Sequence, residues 1–347
     1  MHRKISYLLF IVILILSICF SILFGSSNIN LYDILNVFVI KIQSIIDNDS
    51  SILDASPTYQ IVWNIRLPRI LFGMICGIGL AISGTVMQSL VRNPIADPYI
   101  LGISSGASAG AAIALLLPIP IIFAQFQTTV FAFAGALISS ALVYGIASKA
   151  GNDKLAPTTL ILSGIAINAV MSALTSLLIF LAKSHEGIAS IYNWQMGSLA
   201  SSQWQSIPLP LITTTLGFII CLKYAKELNI LMMGDEDAIA LGIEVNKVKI
   251  ILFVTCALIS ASIVSVTGVI GFVGLVIPHV TRLIFKTSDN RVIIPLSALI
   301  GAIYLIWADA FARSMFGAAE LPIGILTALI GAPFFMYLLS TNKRKYE

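Results

Sequence analysis

The stretch Arg66 to Gly110, RLPRILFGMICGIGLAISGTVMQSLVRNPIADPYILGISSGASAG, decides how the rest of the chain is read. Two arginines flank Pro68 and open an apolar, glycine-studded run from Ile70 to Leu90, long enough to cross a hydrocarbon layer as a helix. The run stops at a charged turn bracketed by prolines, Arg92 to Pro98, where the chain reverses and re-enters the apolar layer. Beyond the turn, Gly102, Gly106 and Gly110 recur at every fourth residue, with Ser105 and Ala109 beside them. On a helix that spacing makes a single ridge of small residues, against which a second helix can pack closely.

Composition extends this reading to the whole chain. Of 347 residues, 58% are hydrophobic and only 10% are charged, and the mean hydropathy is +0.98. Such a chain has too little polar surface for a soluble globule and is expected to be a polytopic membrane protein in a lipid bilayer. Its net charge of +4 is too small to suggest nucleic acid as a partner. Cys19, Cys76, Cys221 and Cys256 lie singly in apolar runs, so they read as small buried hydrophobes, and neither a disulfide nor a metal site is implied. Met1 to Lys4 followed by the apolar run Ile5–Phe24 resembles a signal peptide, but the run is long enough to span. Ser17, Phe20 and Gly25 offer no A-x-A cleavage site, and a retained first helix is expected.

Apolar runs bounded by Pro, Gly or charge predict ten transmembrane helices near 5–24, 66–90, 99–117, 121–147, 157–182, 207–223, 248–268, 271–286, 292–316 and 321–340. The eighth is short and carries Pro278 and His279, and charge decides whether it counts. With both termini in the cytoplasm, only Lys41, Arg66, Arg69, Lys183 and Arg313 of the 20 basic residues fall outside. Dropping the eighth helix would send the tail Lys343-Arg344-Lys345 outside and split that bias. Two longer outer segments are expected. One, Gly25 to Asn64, is acidic through Asp33, Asp47, Asp49 and Asp54. The other, Lys183 to Gln205, carries Tyr192, Trp194 and Trp204 and is expected to include a short surface helix. One long polar segment, 228–249, projects into the cytoplasm.

Several apparent catalytic motifs fail on context. Gly102 to Gly106 and Gly106 to Gly110 both match G-x-S-x-G, but a nucleophile elbow needs a preceding strand and a histidine partner, so Ser104 and Ser108 read as helix-packing residues. His185-Glu186 lacks the second histidine of a zinc protease, and His279 reads as a hydrogen-bonded structural residue. The dipeptide Gly-Lys does not occur, so no P-loop lysine is present, and ATP used in transport must bind another subunit. No catalytic residue, cofactor or metal is expected in this chain.

Two sets of charged residues remain. Asp235-Glu236-Asp237 sits at the expected start of a short helix in the cytoplasmic segment, where acidic side chains suit the N-terminal dipole. Ala238, Ile239, Leu241 and Ile243 give that helix an apolar contact side. Within the spans, Asp309 is the one clear intramembrane acid and stands four residues before Arg313, so the two can pair on one helix face. A second reading groups Arg313 with Arg66 and Arg69 as a basic outer rim on an otherwise acidic surface, with Pro68 in the first turn of its helix fixing where the arginines emerge.

These blocks together resemble the FecCD family, the membrane permeases of ABC importers for iron-siderophores, haem and cobalamin. The similarity is carried by Arg66–Gly110, by Gly234-x₃-Ala238-x₂-Leu241-Gly242, by Asp309-x₃-Arg313, by Gly268 to Arg282, and by Glu320 to Gly324 with Gly331-Ala-Pro333. Residues 1–60 carry no distinctive match. The resemblance implies an all-α fold of the type II ABC importer permease kind, formed by one transmembrane domain over 1–347 in the bacterial cytoplasmic membrane. It implies a second copy of the chain, two ATP-binding subunits and one substrate-binding protein as partners. It further implies that Arg66, Arg69 and Arg313 receive carboxylates of the binding protein. Gly234, Asp235, Glu236, Asp237, Ala238, Leu241 and Gly242 would dock on the ATPase, and Asn93, Ile95, Pro157 and Thr158 would form the cytoplasmic gate. Iron-siderophore uptake is the favoured activity, with haem or cobalamin as alternatives. An ion-coupled secondary transporter is the reading from another class, supported only by Asp309.

Overall fold

A computed structural model describes residues 2–25, 29–47, 56–116, 126–151, 155–315 and 320–341. Asp49, Asp54, Lys154 and the basic tail 343–345, all used in the topology argument, lie outside them. The described residues form fourteen helices and no strand. These are α1 (His2–Ser21), α2 (Leu31–Ile46), α3 (Pro57–Leu90), α4 (Ile103–Leu116), α5 (Gln127–Ala150), α6 (Pro157–Leu181), α7 (His185–Gln195), α8 (Pro208–Lys223), α9 (Ala225–Leu231), α10 (Asp235–Ala240), α11 (Val245–Thr267), α12 (Val273–Phe285), α13 (Asn290–Ser314) and α14 (Ile323–Thr341).

Six of these, α3, α5, α6, α8, α11 and α13, are long and apolar enough to cross a membrane, and α1, α4, α12 and α14 contain shorter apolar helices. Together they fall on the ten expected spans. The expected surface helix is α7, and the short helix with an acidic first turn is α10. The absence of any strand among the described residues removes the context of a nucleophile elbow.

Helix α3 is the hub. It packs on α13, α12, α11 and α8, and 83% of its apolar window is buried, against 17% for α6. Glycine permits this crowding. A Cβ at Gly84 would lie 1.8 Å from the Gly274 carbonyl oxygen of α12, and one at Gly77 would lie 2.2 Å from that of Gly301 on α13. The small-residue ridge of α4 meets α5 in the same way, with the Gly106 Cβ position 2.4 Å from the Gly135 carbonyl oxygen.

Two expectations are corrected at the start of α3. The helix begins at Pro57 rather than Arg66, and the preceding segment holds the amphipathic α2, whose N-terminus is closed by Asp33 accepting from Asn30 N–H at 2.9 Å. Pro68 is therefore not in the first turn. It follows a π-helical stretch, Gln60–Arg66, in which each N–H reaches back five residues, as Leu67 N–H does to the Val62 carbonyl. Pro68 has no N–H to offer in that register, and the Trp63 carbonyl instead accepts the Trp204 indole N–H at 3.0 Å. Trp63 also stacks on Tyr59 within α3, and its ring packs on that of Trp204, 5.8 Å between centroids, which ties α3 to the 203–207 turn. The His279 ring sits edge-on to Phe334, 6.4 Å between centroids, a packing contact.

Candidate functional site: a polar cavity and two charged clusters

A cavity of about 660 Å³ with many polar side chains lies between α4, α6 and α7. Asn168, Ser172, Thr175 and Ser176 recur at helical spacing on one face of α6, opposite Ser104, Ser105 and Ser108 of α4. Asp97 and Tyr99 line it from the turn after α3, and Tyr192 and Gln195 from α7. Ser105 donates to Asn168 Oδ1 at 2.6 Å and sets the spacing of the two walls. No lysine or arginine lines the cavity. Beside Ile179 and Val269, the polar groups of the wall are thus hydroxyls, amides and one carboxylate, able to form many weak hydrogen bonds and no strong anion contact. Sequence reading assigned Ser104 and Ser108 only to packing, and it predicted the α6 span without singling out its polar face. The available signal was the recurrence of small polar residues at every third or fourth position of an apolar helix.

At one end of the molecule lie the three arginines expected as an open rim. They are buried instead: Arg66 and Arg69 are each 4% exposed and Arg313 is 5% exposed. Arg69 Nε donates to both Asp309 oxygens, at 2.9 and 3.1 Å, and its Nη1 reaches Glu320 at 2.7 Å. Arg313 Nε lies 3.0 Å from Asp309, the pairing expected from their spacing, and its other nitrogens donate to Ser21 at the end of α1 and to the Phe24 carbonyl just beyond it. Arg66 donates to the Ile22 carbonyl at 2.6 Å. Desolvation is the reason: near an apolar layer a guanidinium satisfied by carboxylates and carbonyls is far cheaper than a bare one. Of this group Glu320, with its side chain 42% exposed, is the member at the surface.

At the opposite end, α10 carries the expected coupling residues. Gly242 adopts φ +80° and closes the helix, with its N–H on Ile239 and the Ile243 N–H on Ala238. The expected apolar side is divided. Ala238 is buried and Ile243 packs on the core, while Ile239 and Leu241, with Met233, are exposed. The acidic triplet divides as well: Glu236 and Asp237 are exposed, while Asp235 turns inward to Arg92 and Lys249. The residues expected to form the gate lie in two segments. Asn93 caps its own turn by accepting from Ile95 N–H at 3.1 Å, and Pro157 and Thr158 open α6. Nearby, Asp289 caps α13 by accepting from the Arg291 backbone N–H, and takes further hydrogen bonds from the Arg291 and Asn229 side chains. The Arg291 guanidinium first, and Asn229 after it, hold this carboxyl down at about 2, against an opposing push from burial.

Among the described residues no group of three His, Cys, Asp or Glu side chains is placed to hold a metal. A bundle of ten apolar helices packed about α3, with a polar cavity between α4, α6 and α7 and a polar projection at one end, defines the architecture of a membrane transport subunit. The chain belongs to the FecCD transport family, whose model matches residues 13–341. It is 46% identical over 279 residues to the cobalamin import system permease protein BtuC of Halobacterium salinarum, covering 80% of this chain and 73% of that one. It is 40% identical to the hemin transport system permease protein HmuU of Yersinia pestis, over 82% of this chain and 84% of the relative. The Fe(3+)-citrate import system permease protein YfmD of Bacillus subtilis is 34% identical over 97% and 94% of the two chains. A solved structure of a metal-chelate type ABC transporter in an inward-facing conformation superposes with a TM-score of 0.81 at 30% identity, over 97% of this chain and 99% of that one. The protein is therefore an ABC importer permease with the all-helical type II fold.

Proposed function

We propose that this permease carries iron-siderophore complexes across the bacterial cytoplasmic membrane, as a single transmembrane domain with both termini inside. It works as a homodimer with two ATP-hydrolysing subunits on the inner face and one binding protein on the outer face. The cavity carries the proposal: its volume suits a small metal chelate, and its cation-free wall of hydroxyls and amides suits a neutral or cationic one. An anionic chelate would meet Asp97 with no compensating charge. Cobalamin is the second reading, favoured by the 46% identity to a cobalamin permease. Ion-coupled transport loses its support, because Asp309 is held by two arginines.

In this reading the exposed Ile239, Leu241 and Met233 of the α10 region dock on the ATPase, and the segments at Asn93–Ile95 and Pro157–Thr158 gate the inner end of the cavity. The binding protein docks at the opposite end, where an incoming carboxylate reaches Arg69 after Glu320 swings aside; Arg66 and Arg313 lie behind it. Uptake into proteoliposomes containing permease, ATPase and binding protein tests the assignment. Transport of a radiolabelled ferric hydroxamate in preference to cobalamin or haem is expected; preference for cobalamin replaces the first reading with the second.

A further inference from the structure

We propose that Asp235 is the positioning residue that joins the coupling helix to both segments of the cytoplasmic gate. This rests on the importer reading above and departs from the expectation that the acidic triplet acts on the ATPase. Asp235 is the first residue of α10, and its two carboxylate oxygens are engaged by different parts of the chain. Oδ1 accepts from Arg92 Nη2. Oδ2 accepts from Lys249 Nζ at 2.6 Å.

Each partner leads to one gate segment. Arg92 directly precedes Asn93 and has φ 53°, a left-handed backbone that is unusual outside glycine, so its side chain anchors a turn held in an uncommon shape. Lys249, on α11, is 1% exposed, and a lysine so buried needs its ammonium satisfied. It is satisfied by Asp235 and by the carbonyl of Leu155 at 2.9 Å, two residues before Pro157. One carboxylate thus links α10 to the turn after α3 through Arg92, and to the start of α6 through Lys249 and Leu155.

The two branches differ in strength for a physical reason. The Arg92 pair is about a third exposed on both sides, so water competes with it and it can break and re-form. The Lys249 branch is buried at the ammonium, where losing a partner is costly. A displacement of α10 by the ATPase would therefore carry the start of α6 with it, while the contact to the Arg92 turn lets go. The gate segments separate because their common tie is stiff on one side and releasable on the other.

The test uses the assembled transporter, spin-labelled at Asn93→Cys and Thr158→Cys in a background freed of native cysteines, with the label distance read with and without a non-hydrolysable ATP analogue. Substrate imported per ATP hydrolysed is read in parallel. Asp235→Asn is expected to leave ATPase co-purification intact and to abolish the nucleotide-dependent distance change, with imported substrate per ATP falling about tenfold, within the usual range of coupling between sites. Asp235→Glu should keep most of both. If Asp235→Asn fails to fold, Asp235→Asn with Lys249→Met removes the buried ammonium and is read in its place. An unchanged distance response and an unchanged ratio in that variant overturn the proposal. So does a loss of ATPase binding that accounts for the loss of uptake, because Asp235 would then act on the ATPase. A transporter with native Asp235 that shows neither a nucleotide response nor uptake would overturn the importer reading itself.

Discussion

Arg69 on α3 and Asp309 on α13 meet through two hydrogen bonds, 2.9 and 3.1 Å long, at side chains that are 5% and 2% exposed. Residues 240 positions apart in sequence thus close the end of the bundle. Arg69 also holds Glu320 ahead of α14, so one guanidinium fixes three elements. Replacing Arg69 by Ala leaves Asp309 with Arg313 alone and Glu320 without this partner, and is expected to cost about 3 kcal/mol of stability. Arg69→Lys should recover only part, because a compact ammonium cannot span both carboxylates. Thermal unfolding midpoints in detergent distinguish the two, and equal midpoints for Arg69→Ala and the native protein would refute the assignment.

Helix contacts at glycine should be intolerant of a single methyl group. At Gly84 the added carbon would sit 1.8 Å from a backbone oxygen of Gly274, which no rotamer change can relieve. Gly84→Ala is expected to lower the yield of monodisperse protein severely, by more than the roughly 1–3 kcal/mol of ordinary overpacking. Gly145→Ala is the control, since nothing lies within 4 Å of its Cβ position. Both variants are compared by size-exclusion profile and unfolding midpoint.

Asp289 predicts a pH dependence. Its folded-state carboxyl is depressed to about 2 from the ordinary 3.8, chiefly by Arg291, so its contribution is full above pH 4 and lost as pH falls toward 2. Solvent screening limits that contribution to about 1 kcal/mol or less. Asp289→Asn should therefore unfold earlier than the native protein at pH 7, and the gap should close between pH 4 and pH 2. A gap that persists at pH 2 would assign the effect to lost packing or capping instead.

The exposed apolar residues near α10 should matter for assembly and not for folding. Ile239 is 60% exposed and Leu241 64%. Changing both to Glu is expected to reduce co-purification of the ATPase about tenfold or more, as for a central contact, while leaving the unfolding midpoint within about 0.5 kcal/mol of native. Co-purification at the native level would remove α10 from the interface.

Topology can be checked from two described positions. With the four native cysteines replaced, an impermeant thiol reagent applied to intact cells is expected to label Glu186→Cys and to spare Asp237→Cys. The reverse pattern would invert the orientation, and labelling of both would contradict the single crossing, α8, between them.

Much of this protein was legible in its sequence because membrane physics acts locally. Backbone polar groups in lipid must be satisfied within the segment, so each span announces itself as an apolar run. The ten spans, the α4 ridge of Gly106 and Gly110, and the acidic first turn of α10 were readable for that reason; Gly102, expected on the same ridge, instead precedes α4 with φ +76°. Asp309 and Arg313 could be paired because four residues on a helix share a face. What tertiary structure decided was the direction and partner of nearly every other charge. Arg66 and Arg69 look like surface cations in a linear reading, yet the folded chain brings Ile22, Asp309 and Glu320 to them and turns them inward. Asp235 looked like one of three equivalent acids, and only the packing of α10 against α11 selects it for Lys249 while leaving Glu236 and Asp237 exposed. The polar wall of α6 acquired meaning only when Ser105 of α4 came within 2.6 Å of Asn168. Hydrophobicity is a property of one segment and can be read along it; the cost of a buried charge is settled between segments, and only the fold brings those together.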